Sequence, residues 1–421
     1  MPSSSTLLQV CGAAALSLAA LELVKRWRKR REEAQKPSAS KEAGPRPIPV
    51  NTPKFWGNEK DAVAACVETG WISSEGPAVK QFEQAMAAKC NRRHGIACAN
   101  GTAALDIAVK ALGLGSGDEV IMPSFCIISC ITQVVRGGSK PVLVDCDKYF
   151  NMDVSQVAAK VTPRTKAIMC VHTYHFPVDM EPILALAEEK GLAVIEDSAE
   201  MIGQTCIARP CGSFGAISTM SFYPNKHVTS GEGGMVLCDS PELAEKCRQL
   251  RNLCFDPAKR RFVHADLGWN YRMTNLQAAL GLAQLEHLDE AVVRKRQIGR
   301  LYNELLEGCP GLVLPPDRND RGETNIYWVY AVEVLPDVAL DAEEVMKRLA
   351  AAKVGTRPFF WPMHEQPVFQ EMGLFEGQTF PVAERIARRG FYIPSGLALS
   401  DEDCREVATR VRTVMQAICS G

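Results

Sequence analysis

The chain has no excess of charge of either sign. Its 48 Lys and Arg stand against 49 Asp and Glu, for a net charge of -1, so no bulk electrostatic attraction to nucleic acid is encoded. It has no C-x-x-C pair, although it carries 16 cysteines. Cys126 and Cys130 have the wrong spacing for a zinc knuckle, and Cys206 and Cys211 lack neighbours of the right pattern. His172, His175 and His227 form no recognisable metal triad, so no metal site is expected. Most of the cysteines fall in apolar runs, where a free thiol behaves as a small hydrophobe. That points to reduced thiols in a cytosol-like compartment. Internal repeats are absent. What remains is an ordinary globular composition, 46% hydrophobic and 23% charged over 421 residues, enough for a large domain and a smaller one.

Only the N-terminus departs from this composition. Residues 6–24 are rich in Ala and Leu, broken by Gln9 and Glu22, and K-R-W-R-K-R-R (25–31) follows at once. The stretch is near the lower limit for spanning a bilayer. No basic residue precedes it, unlike a secretory signal peptide, and the cluster after it would stay on the cytoplasmic side. The expectation is a signal anchor over 6–24 that leaves the body of the chain in the cytosol. The alternative is a transit segment cleaved in an organelle. Residues 32–49 read as a linker, so residues 1–45 form a targeting segment and linker.

From residue 95 onward, apolar strands alternate with helical windows. Candidate strands are 119–122, 141–145, 166–172, 193–197, 217–222 and 234–238. This pattern predicts an α/β fold with a mainly parallel sheet covered on both faces. Ligands of such sheets bind outside the carboxyl ends of the strands. A long helix over 274–293 is expected to join a large domain, 46–289, to a smaller α+β domain, 290–421. Strands over 327–334 and 355–360 belong to the smaller one.

The stretch 218–236 draws attention next. An apolar run stops at Pro224, Lys226 follows, and S-G-E-G-G (230–234) opens a second strand. A lysine at the mouth of a tight turn between strands can be partly desolvated. That lowers its pKa and frees the amine to attack an aldehyde. Pyridoxal phosphate (PLP) is such an aldehyde, held by a lysine with an acidic partner on its ring nitrogen. A surface hairpin with an idle lysine is the open alternative. Asn100-Gly101-Thr102-Ala103 offers helix-start amides and a hydroxyl for a phosphate, or merely an N-cap. Asp197 ends an apolar strand, where a bare carboxylate is costly unless paired, or again serves as a cap.

These pieces also resemble the DegT-type sugar aminotransferases over roughly residues 50–420. The resemblance rests on G-W-I-S-S-E-G-P-A-V-K-Q-F-E (70–83), N-G-T-A-A-L (100–105), G-D-E-V-I-M-P-S-F (117–125) and V-I-E-D-S-A-E (194–200). It continues with S-F-Y-P-N-K (221–226), G-E-G-G-M-V (231–236), G-W-N-Y-R-M-T-N-L-Q-A-A-L-G-L-A-Q-L (268–285), R-P-F-F-W-P-M-H (357–364) and F-P-V-A-E-R (380–385). The resemblance implies a PLP-dependent transferase of fold type I. Its large domain would hold a mainly parallel sheet of the seven-stranded type, followed by a smaller C-terminal α+β domain. It implies that Lys226 is the Schiff-base lysine and Asp197 the partner of the pyridine nitrogen. Glu200 falls near the ring's 3-oxygen. Gly101, Thr102, Ala103 and Ser221 fall at the phosphate. Asn270, or failing that Arg272, reaches the phosphate from a second subunit, which implies a homodimer. L-glutamate would be the donor and a nucleotide-linked 4-keto-6-deoxy sugar the acceptor. Within the family the likeness is to GDP-perosamine synthases, on N-M-D-V (151–154), V-H-T-Y-H-F-P-V-D-M-E-P-I (171–183) and Glu200.

Two departures stand out. Ile127 occupies the place where many relatives put an aromatic over the cofactor ring. His175 replaces a small residue; it is expected to point to solvent, or else to crowd the sugar. The family's dehydratase branch has histidine in place of the lysine. Lys226 argues against that branch, with His227 adjacent. A membrane-tethered PLP-binding protein without turnover is the rival of another class.

Overall fold

The computed structural model describes residues 25–26, 46–256 and 258–420. Residues 47–421 form one compact unit. Of the preceding unit only Lys25 and Arg26, helical and exposed, and Arg46 are described. The expected membrane anchor is corrected. Among the described residues no helix is long and apolar enough to cross a membrane. The stretch 6–24, and with it the transit-segment alternative, lies outside them. Gln9 and Glu22 interrupt the stretch, and Lys25 closes it short of the about 20 apolar residues that a span needs.

Seven strands make the main sheet: β1 (His94–Cys98), β2 (Glu119–Pro123), β3 (Lys140–Val144), β4 (Thr165–Val171), β5 (Ala193–Asp197), β6 (Ile217–Ser221) and β7 (Gly234–Cys238). Their order is β1-β7-β6-β5-β4-β2-β3. Only β7 runs antiparallel to its neighbours. Every residue of β2 and β7 is buried, as expected for strands covered on both faces. The parallel strands send their carboxyl ends to one edge. There Val171 pairs with Asp197 and Asp197 with Thr219. Beside them, Ser221 and Cys98 both pair with Gly234. The register therefore collects the ends of β1, β4, β5 and β6 on that edge.

Helices stop where the sequence signals them. Gly70 and Gly191 close Glu59–Thr69 and Met180–Lys190 with positive φ of 75° and 65°, a conformation open to glycine. The helix Gly101–Ala111 buries Ala103, Ala104, Leu105, Ile107, Ala108, Val109 and Ala111; its small side chains let it lie close on the sheet.

A second sheet, β8 (Leu312–Val313), β9 (Tyr330–Val334), β10 (Arg357–Pro358) and β11 (Gly390–Ile393), has the order β8-β9-β11-β10 and is antiparallel throughout. Its strands are shorter than the sequence pattern suggests at 327–334 and 355–360. Helices Leu288–Leu306 and Asp401–Ser420 cover it, and Val332, Phe391, Ile298, Tyr302, Val411 and Met415 share its core. Ile48 belongs to that core too: its N–H donates to the Lys353 carbonyl and its carbonyl accepts from Gly355. Three residues on, the Asn51 amide donates to the Pro224 carbonyl at 3.1 Å.

The single helix expected over 274–293 is two helices, Asn275–Leu285 and Leu288–Leu306. No Pro or Gly marks the break. Trp56 stacks on His287 with ring centroids 5.0 Å apart, and the Asn58 amide donates to Glu286 at 2.7 Å. The break is thus held by a segment more than two hundred residues earlier. Asp145, just beyond β3, accepts the amides of Val382 and Ala383 at 3.0 Å each. It caps the helix Pro381–Arg389 from across the chain.

Candidate active site

Asp197 is the last residue of β5 and is 4% exposed. Its Oδ1 accepts the Ala199 N–H at 3.0 Å, and its Oδ2 accepts the Cys130 thiol at 3.2 Å. A hydrogen bond with Cys126 and burial hold that thiol well above its usual pKa, so it stays a donor. The neighbouring Glu196 points the other way. It is fully buried and accepts from His172 Nε2 (2.9 Å), Ser198 Oγ (2.8 Å) and the amides of Gly212 and Phe214. Burial would raise its pKa, but the His172 bond and the two amides hold it below the usual value. His172 Nδ1 accepts the Val178 N–H, which leaves Nε2 as the ring's donor to Glu196. This satisfied network also takes in Cys211, whose sulfur lies close to His172 and Glu196. It fixes the end of β5 from below.

Lys226 and Glu200 meet above Asp197. Lys226 Nζ lies 3.9 Å from Glu200 Oε1, and the other carboxylate oxygen accepts the Tyr174 N–H at 2.8 Å. A unit pair near 4 Å gains about 4 kcal/mol at an effective dielectric near 20. Removing each ion from water costs several kcal/mol. Desolvation wins: burial pushes Glu200 up to about 8 and lowers Lys226. The result is a poised amine beside a carboxyl that can hold a proton. Lys226 Nζ also sits 3.9 Å from the centroid of the Trp328 ring. Trp328 is fixed by its Nε1–H to the Asn225 carbonyl (2.9 Å) and by stacking on Tyr174. Tyr174 has a φ of 59°, a costly backbone for a bulky residue and one that clusters at functional sites.

The residues expected at the phosphate gather at the ends of β1 and β6. Asn100 caps the helix Gly101–Ala111 by accepting the Ala103 N–H at 2.9 Å. Ala103's amide is therefore engaged. The amides of Gly101 and Thr102 remain as the first two orphan donors of the helix. Thr102 Oγ1 bonds Ser129 Oγ at 3.0 Å. A Cβ on Gly101 would lie 2.9 Å from Ser221 Cβ, and one on Gly234 would lie 2.3 Å from the Asn100 carbonyl oxygen. Glycine at these two places keeps a cradle open. Asn270 is exposed, with its backbone bridged to Asn252; Arg272 donates to the Asn252 side chain at 2.6 Å. The adjoining Tyr271 carbonyl accepts from Ala99, so this stretch borders the cradle. Ile127 is the N-cap of the helix Ile128–Arg136 and is 39% exposed.

The expectation that His175 faces solvent is overturned. It is 2% exposed, lies 5.3 Å from the Phe150 ring, and burial lowers its pKa to about 3. The neighbouring aromatic wall, not the sequence, decides its side. Lys226, not His227, reaches Glu200. His227 is buried, and burial lowers its pKa well below the usual value. Sequence reasoning missed Cys130, Tyr174 and Trp328. Trp328 left one signal, an aromatic in the apolar run before β9, but nothing tied it to Lys226.

A family model, the DegT/DnrJ/EryC1/StrS aminotransferase family, matches residues 54–412. The GDP-perosamine synthase of Caulobacter vibrioides is 40% identical over 87% of this chain and 98% of its own length. That of Escherichia coli O157:H7 is 38% identical over 84% and 95%. Among solved structures, the aminotransferase TlmJ of Streptoalloteichus hindustanus superposes with a TM-score of 0.81 at 30% identity, over 88% of this chain and all of that one. The residues present fit PLP: a glycine cradle with free helix-start amides for the phosphate, a buried carboxylate for a ring nitrogen, and a desolvated amine between them. The chain thus belongs to the DegT/DnrJ/EryC1/StrS family of sugar aminotransferases, enzymes whose cofactor is pyridoxal phosphate.

Proposed function

We propose that the chain moves the amino group of L-glutamate to C4 of GDP-4-keto-6-deoxymannose, giving GDP-perosamine, in two half-reactions at one site. Support for the substrate comes from three relatives named GDP-perosamine synthase, 35–40% identical over 84–88% of this chain. The observation that carries the chemistry is the amine of Lys226 held 3.9 Å from Glu200 above Asp197.

PLP, when bound, supplies an electron sink for the carbanion formed at the amino acid's Cα. The rest falls to this chain. Asp197, fixed by Ala199 and Cys130, would hold a proton on the ring nitrogen. The Lys226 amine would serve as the base that takes the Cα proton and the acid that returns it. Burial lowers the pKa of that amine, which favours its neutral form. Glu200 lies within reach of Lys226 and stores or returns a proton. The Gly101 and Thr102 amides and Ser221 anchor the phosphate. Asn270 of a second copy completes that anchor in a homodimer.

The test is spectroscopic. The purified protein loaded with PLP should lose its long-wavelength cofactor absorbance on addition of L-glutamate. GDP-4-keto-6-deoxymannose should restore it. Loss without restoration keeps the aminotransferase and rejects this sugar. A relative named for 3-amination of a UDP-linked sugar, 36% identical over 76% of this chain, shows where to look then.

A further inference from the structure

A cavity of about 240 Å³ opens beside Lys226, and none of the groups assigned above fills it. Asn51, Tyr223, Asn225, Trp328, Arg357 and Tyr392 are among its walls. Two of them already touch the site: Asn225 precedes Lys226, and Trp328 lies under its Nζ. The cavity walls include a neutral acceptor, Asn225, and a cation, Arg357. At the Lys226 end, Asn225 Oδ1 is buried with no hydrogen-bond donor among the described residues. A buried acceptor without a partner is destabilising, so this end calls for a ligand N–H. At the other end, Arg357 pairs its backbone with Tyr392 in the second sheet. Its guanidinium has no hydrogen bond or ion pair to any described residue. Tyr392 lies within electrostatic reach of Arg357, Tyr223 and Glu200, which joins the two ends. Burial leaves Glu200 largely protonated at neutral pH, so it does not repel an incoming anion.

Size narrows the ligand. The cavity is smaller than the about 300–1,000 Å³ typical of drug-sized ligands, too small for a nucleoside diphosphate. A small amino acid fits. We propose that this cavity seats the amino donor, its ammonium at Asn225 and Lys226 and its distal carboxylate on Arg357. Arg357 thereby selects a dicarboxylic amino acid over a neutral one. This rests on the aminotransferase reading and names the residue that chooses its donor.

Glutarate carries two carboxylates and no amine, so its binding reads the carboxylate subsite without turnover. Calorimetry on the full-length, PLP-loaded protein should show glutarate binding to the wild type. Arg357→Gln should weaken it about tenfold or more, and Arg357→Lys should recover part of the loss. In turnover, Arg357→Gln should raise KM for L-glutamate by a similar factor and leave KM for the sugar nucleotide unchanged. It should also raise the rate with L-alanine relative to L-glutamate. Unchanged glutarate affinity and unchanged glutamate KM would overturn the proposal. So would an effect confined to the sugar nucleotide, which would put a phosphate on Arg357. If glutarate binding depends on Arg357 but glutamate gives no turnover, the transamination reading fails and the anion subsite stands.

Discussion

Lys295 gives a prediction whose size follows from its surroundings. It lies on the helix Leu288–Leu306, 3% exposed, and its ammonium donates to the Ser395 carbonyl at 2.7 Å. No carboxylate pairs with it among the described residues. Burial lowers its pKa to about 7, against about 10.4 for an exposed lysine. The folded state therefore prefers the neutral amine, and the unfolded chain binds the extra proton between these two values. Stability contributed by this group must rise with pH across that window. From pH 7 to pH 9 the gain is about 2 kcal/mol, because each unit is worth at most about 1.4 kcal/mol and the folded amine is half titrated at the start. Lys295→Met removes the titration and keeps the bulk. It loses one hydrogen bond, about 1 kcal/mol. Urea unfolding of both proteins at pH 7 and pH 9 isolates the effect, since every other titrating group is common to the two. The wild type should gain about 2 kcal/mol more than the variant. Gains that agree within about 0.5 kcal/mol would refute the claim that Lys295 is buried without a counter-charge.

Other expectations concern the site and its supports. Lys226→Ala should abolish transamination while the melting temperature stays close to that of the wild type; residual turnover would place the essential amine elsewhere. Gly101→Ala should push a methyl against Ser221 and raise the dissociation constant for PLP about tenfold or more, read by fluorescence titration of the cofactor-free protein. Asp145→Ala should remove the cap from the helix Pro381–Arg389 and lower stability by about 1–2 kcal/mol, seen as a lower urea midpoint with an unchanged slope.

The parts legible in the sequence are those fixed by local pattern. Ala193–Asp197 and Gly234–Cys238 emerge at the bounds expected, because a short apolar run between turn residues leaves few alternatives. Lys226 and Asp197 stand out because a charge at the end of a buried strand needs a reason. The illegible parts depend on partners far along the chain. Nothing near Pro381 announces that Asp145 caps its helix. Nothing in 274–293 shows that Trp56 and Asn58 hold a break at His287. His175 reads as a side chain facing solvent, yet it is enclosed by Phe150, Tyr174 and Phe176. The expected anchor shows the reverse error, in which local composition suggested a role that no described helix can fill.

The segment from Ile48 to Asn51 behaves as a short drive rod. One end is keyed into the core of the second sheet through Lys353 and Gly355, and the other grips the Pro224 carbonyl two residues before Lys226. Four residues thus tie the second sheet's core directly to the turn that carries the lysine. Trimming the chain beyond Pro47 would disengage the rod, so the shortest competent version of this enzyme should begin well ahead of the helix Glu59–Thr69.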